Sequence, residues 1–224
     1  MGNKENLVSH AYTVIFGLTA DPIHKGHEQA IINGVQYLRE KGFDIENFIL
    51  IPVFQPNLIA GKKSPYSDFN KRYEMCELVA TKLSSQLSCN IVVSNIEKRI
   101  AEKTGENNYS LNTLKELNLQ NVLFMVSADH FQGRWPKFRK WFGWQEILKF
   151  SGLLINQRPG HKINKAFIDR LSDINSEVHI VEKGTSVDTS STVIRNSFYH
   201  SEMDLCLSSE IIKYIKSNGL YLNK

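Results

Sequence analysis

His24 and His27 stand three residues apart in "GLTADPIHKGHE", Gly17 to Glu28, behind a short apolar run and ahead of a helical pattern. Gly17 permits a tight exit from a strand, Pro22 stiffens the connection, and Gly26 lets backbone or phosphate come close to the helix start. Unpaired amides and the positive end of the helix dipole attract an anion at that point. Imidazoles add directional hydrogen bonds to phosphate oxygens, stronger when the ring is protonated. The stretch reads as an anion cradle. Two plainer readings compete with it. A zinc pair needs further ligands, and no cysteine or carboxylate cluster supplies them. A structural pair of surface histidines fits the stretch taken alone.

A second element is "TSSTVIRNS", Thr189 to Ser197. Ser190, Ser191 and Thr192 suit a helix N-cap and first turn, with Arg195 one turn further on. Hydroxyls, free amides and a guanidinium would converge on one point and hold a second phosphate. Read alone, the same residues make a capped helix with a surface arginine.

The elements that must position these groups alternate along the chain. β-rich runs occur at Thr13 to Phe16, Asn47 to Val53, Asn90 to Ile96, Asn121 to Ser127, Gly152 to Asn156 and Glu177 to Val181. Most are continuously apolar, as expected of strands covered on both faces. Helical patterns lie between them, at His27 to Glu40, Asp68 to Leu83, Leu111 to Leu117, Trp144 to Phe150 and Ile163 to Leu171. This order predicts an α/β, Rossmann-like, doubly wound parallel sheet with helices on both faces, and ligands at the carboxyl ends of the strands. Two long connections, 55–67 with Lys62 and Lys63, and 128–142 with Trp135 among several basic residues, are further candidates for function.

The 224 residues suffice for a substantial core. We expect one domain over 1–224, with 1–11 a flexible extension and 189–224 a small helical portion that binds phosphate and closes the fold. With 42% apolar and 22% charged residues, disorder and fibrous architectures are excluded. A net charge of +4 is too small to argue for nucleic acid. Three scattered cysteines suit a reducing compartment better than a disulfide framework. No signal-peptide core or membrane-length apolar run is visible, so a cytoplasmic protein without membrane partners is expected.

With both motifs in view, the chain resembles the nucleotidyltransferase superfamily marked by H-x-G-H near the start, here "HKGH", and S-S-T-x-I-R near the end, here "SSTVIR". Within it, the likeness is greatest to the nicotinate mononucleotide adenylyltransferases and runs over nearly the whole chain. "YSDFNKRYEMCELVA", with Arg72 and Met75, "NYSLNTLKEL", "SADH", "WFGWQEIL", "INQRPG" and "IIKYIKSNGLY" all resemble segments of that family. "GLTAD" departs from it, with Leu18 in place of a glycine and Ala20 in place of an aromatic residue, and a longer "QPNLIAGKK" replaces its lysine loop.

The resemblance implies attack of a pyridine mononucleotide 5′-phosphate on the α-phosphorus of ATP, releasing pyrophosphate and giving deamido-NAD in NAD biosynthesis. It places Thr19 and His27 on the α-phosphate, His24 and Gly17 nearby, and Ser190, Ser191 and Arg195 on the β and γ groups. Lys62 or Lys63 would contact ATP, and Asp129 would sit near the adenosine ribose. Trp141 would stack on the pyridine ring, with Phe142, Tyr109 and Ser110 lining the same pocket. Mg2+ would ride on the ATP phosphates without a dedicated protein cage. The amide-using relative that makes NAD directly is the alternative, as is a catalytically silent nucleotide-binding module. Oligomeric state stays open, a homo-oligomer included.

Overall fold

The computed structural model describes residues 11–56, 64–105, 108–158, 160–184, 189–199 and 205–222. Six strands form one parallel sheet in the order β3-β2-β1-β4-β5-β6. They are β1 (Tyr12–Leu18), β2 (Ile45–Pro52), β3 (Ile91–Val93), β4 (Val122–Ser127), β5 (Gly152–Asn156) and β6 (Val178–Val181). β1 pairs with both β2 and β4, so the order reverses beside it, and a crevice opens outside the carboxyl ends of β1 and β4.

Alternate residues of β1 feed two cores. Val14, Phe16 and Leu18 pack against α1 (Lys25–Glu40), α2 (Phe69–Leu87) and α8 (Ser209–Ser217). Ile15 faces the other way, toward α3 (Ile96–Thr104), α4 (Ser110–Leu117), α5 (Trp144–Phe150) and α6 (Lys165–Ser172). The expected helices on both faces are therefore present, with α7 (Ser191–Ser197) between β6 and α8.

Several boundaries differ from the sequence reading, α2 running on to Leu87 and α1 starting at Lys25, and two of the differences bear on the site. The strand expected over Asn90 to Ile96 stops at Val93, and α3 begins at Ile96, whose amide is accepted by Ser94 Oγ at 3.3 Å. Gly17 does not open the loop after β1. It lies inside the strand, which runs on to Leu18, and the connection spans 19–24.

Candidate active site

The loop 19–24 leads into α1, whose N-cap is His24 and whose third residue is His27. The two rings stack with centroids 3.8 Å apart. His24 N donates to His27 Nδ1 at 3.2 Å, so Nδ1 is an acceptor and the neutral ring carries its proton on Nε2. Burial, with His24 and Arg158 adding to it, drives the His27 pKa well below the usual histidine value. Burial and Arg158 bring His24 down to about 4. Both imidazoles are neutral donors at neutral pH until an anion arrives.

These histidines line a cavity of about 370 Å³ at the switch point. Gly17, Leu18 and Thr19 form one wall, and Ser127 and Asp129 stand at the end of β4. Asn156 and Arg158 come from the end of β5, and Thr189, Ser190 and Ser191 from the approach to α7. His24 Nδ1, Asn156 Oδ1 and Thr189 Oγ1 are buried there without a hydrogen-bond partner. Polar atoms left unpaired inside a protein are costly, and a polar ligand in the cavity would satisfy them. Asp129 is half-buried, which by itself raises its pKa, but His130 and Lys137, its Nζ 3.4 Å away, outweigh that and hold it below its usual range.

The two motifs meet although they are far apart in sequence. Ser191 Oγ donates to Pro22 O at 3.0 Å, and Arg195 donates through NH1 to Asp21 O at 2.5 Å. Ser190 caps α7 by accepting from Val193 N at 3.3 Å, which leaves its hydroxyl proton for a ligand. Arg195 is turned toward Asp21 and lies over the Tyr66 ring at 4.7 Å; its buried Nε has no partner. The arginine that lines the cavity is Arg158, in the "INQRPG" segment after β5, to which sequence reasoning gave no role in the site. Lys62 and Lys63 fall outside the described residues.

Trp141 forms a wall of this cavity and of a second one, about 170 Å³, lined by Tyr109, Ser110, Lys140 and Phe142 among others. Tyr109 and Phe142 stack at 4.8 Å, and Trp141 meets His130 edge to face at 5.1 Å. The four residues expected around a pyridine ring are thus brought together.

Two buried residues that the sequence reading did not place in the site hold its frame. Arg72, 1% exposed, donates to Thr19 O at 2.8 Å, Val53 O at 2.6 Å, Ser67 O at 3.2 Å and Phe54 O at 3.4 Å. It ties the loops after β1 and β2 together and lies in no ion pair closer than 4 Å among the described residues. Burial lowers its pKa, and Asp21 opposes that shift. Asp21, equally buried, accepts from Tyr66 N at 2.7 Å, Ser67 N at 3.2 Å and Tyr221 OH at 2.9 Å. An arginine in an R-x-x-M helix and an aspartate before a proline were the available signals. Neither says which backbone it will serve.

A 3-2-1-4-5-6 parallel sheet, with paired histidines at one helix start and a hydroxyl-rich turn closing the crevice, defines a Rossmann-like nucleotidyltransferase. The family model described as cytidylyltransferase-like matches residues 15–197, and the chain belongs to that family. It is 30% identical to a Psychromonas ingrahamii protein named "Probable nicotinate-nucleotide adenylyltransferase", over 92% of this chain and 94% of the relative. A protein of the same name from Acidithiobacillus ferrooxidans is 29% identical, over 95% and 97%. Among solved structures, Plasmodium falciparum nicotinic acid mononucleotide adenylyltransferase complexed with NaAD superposes with a TM-score of 0.71 over 96% of this chain and 99% of that one. At 18% identity, that likeness shows the fold.

Proposed function

We propose that this chain is a nicotinate-nucleotide adenylyltransferase, joining nicotinate mononucleotide to the AMP moiety of ATP and releasing pyrophosphate, and that residues 1–224 form one such domain. The observation that carries this reading is the shared Trp141 wall: a histidine-lined phosphate cavity and an aromatic cavity meet at one side chain. The names of the relatives agree with it.

The mononucleotide phosphate has a second pKa of about 6 and attacks as the ionised nucleophile, so no side chain need take a proton. Catalysis then rests on alignment and on donors aimed at charge that grows on the α-phosphate and on the leaving pyrophosphate. His27 Nε2–H and Thr19 serve the α-phosphate, with His24 beside them. Gly17, lacking a side chain, leaves room along the strand edge. Ser190 takes the β and γ groups, while Ser191 and Arg195 brace the loop through Pro22 and Asp21. Arg158 adds the positive charge that faces the cavity. Magnesium enters as part of the MgATP substrate, and Asp129 is the carboxylate lining the cavity near which the ribose would lie.

The acid rather than the amide is favoured at the second cavity. The start of α4 carries no side-chain cap and Lys140 shares the lining, so both would welcome a carboxylate, while Glu97, the one acidic group in that lining, is engaged by the Phe54 amide at 3.0 Å. The test is pyrophosphate release from MgATP with each mononucleotide, compared as kcat/KM. A large preference for nicotinate mononucleotide is expected. Preference for the amide would move the enzyme to direct NAD synthesis, and no release with either would overturn the reading.

A further inference from the structure

Away from both cavities, Arg134, Trp135, Pro136, Arg139, Asn164, Ala166, Phe167 and Arg170 surround a separate cleft of about 240 Å³, and no residue is shared with either one. Three of these residues are cationic and none is acidic. Among the described residues none of the three guanidinium groups lies in a salt bridge. Charges of one sign around a concavity repel each other and concentrate anions from solution.

The cleft rests on an anchored platform. Phe138, fully buried, stacks on Phe131 at 5.1 Å and pins the short 3-10 turn Lys137–Lys140 to the core. Trp135 on the cleft side stays 68% exposed, an outlay of apolar surface that the core does not use. The Arg139 guanidinium lies over its ring at 5.3 Å and over Phe167 at 5.9 Å. Stacked in that way a guanidinium keeps its N–H edge for a phosphate, and an indole so exposed can stack a base.

We propose that this cleft is a second nucleotide site, taking a nucleoside di- or triphosphate with its phosphates among Arg134, Arg139 and Arg170 and its base against Trp135. A mononucleotide fits better than a nucleic-acid strand. A strand needs successive stacking platforms along a groove, and the cleft has one exposed indole and a small volume.

The test is calorimetric titration of the full chain with ADP, with inorganic tripolyphosphate and with a short single-stranded RNA. Wild type is expected to bind two ADP per chain, one of them at the active site. Arg134→Ser with Arg170→Ser should reduce this to one while turnover at the active site persists. Independently, Trp135→Ala should weaken ADP at the second site by roughly fivefold or more, the scale of one base–aromatic stack, and leave tripolyphosphate unchanged. One ADP per wild-type chain would overturn the proposal, as would two in the arginine variant. ADP affinity at the second site unchanged by Trp135→Ala would overturn the base contact. RNA binding more tightly at the same arginines would assign the cleft to a different partner.

Discussion

At the residue scale, the site turns on imidazoles held neutral and pointed. Removing one transition-state donor costs on the order of a hundredfold, so His27→Ala should lower kcat by about that factor with the KM for ATP little changed. Steady-state kinetics check this, and unchanged turnover would sink the mechanism. His24 is expected to titrate near 4. Because its folded pKa lies below its unfolded value, the folded state resists protonation. Stability is therefore unaffected above about pH 6.5 and falls as pH drops from there toward 4, by up to about 1.4 kcal/mol per pH unit for this one group. Histidine NMR titration follows it directly, and a midpoint near 6.5 would contradict the burial argument. The histidines and serines were legible because their chemistry is local. Arg158 and Asn156 were not, since only the end of β5 decides what they face, and the sequence shows no sign of which way that end points.

Elements set the positions that residues occupy. Gly143 caps α5 at φ +61°, and a Cβ there would come within 2.4 Å of the buried Leu111 Cδ2. Gly143→Ala should cost about 1–3 kcal/mol from backbone strain and overpacking. It should also raise the KM for the mononucleotide, because Phe142 precedes it and Ser110 precedes Leu111. Thermal unfolding and a mononucleotide saturation curve test the two halves. Five of the six strands appeared near their expected places because their apolar runs are continuous. The third run misled at its end. Ile96 belongs by composition to the strand before it, yet it opens α3, whose buried face has only Ile96 and Ile100 amid charged residues. Two apolar positions are too few to reveal a helical period in sequence.

For the whole molecule, the consequential feature is closure. Tyr221 donates to Asp21 Oδ1 and accepts from Ser67 Oγ at 3.0 Å, which joins the segment after α8 to the loop that bears the histidines. Tyr221→Phe should cost about 1–3 kcal/mol, the range for a buried acceptor losing its donor, and loosen ATP binding through Asp21 and Arg195. Urea unfolding and ATP affinity measure it, and no change in either would make the network incidental. None of this long-range stitching could be read from the sequence, where Asp21 is one residue of a loop and Tyr221 one of a helical ending. The tie between α7 and the first loop also sets an order of events during synthesis. The ribosome releases every strand of the sheet before α7, so a nascent chain has its whole sheet while the far side of the crevice, and the ties that steady the histidine loop, are still missing. Affinity for nucleotide should then be acquired late and abruptly, as α7 docks on Asp21 and Pro22, after the sheet has already formed.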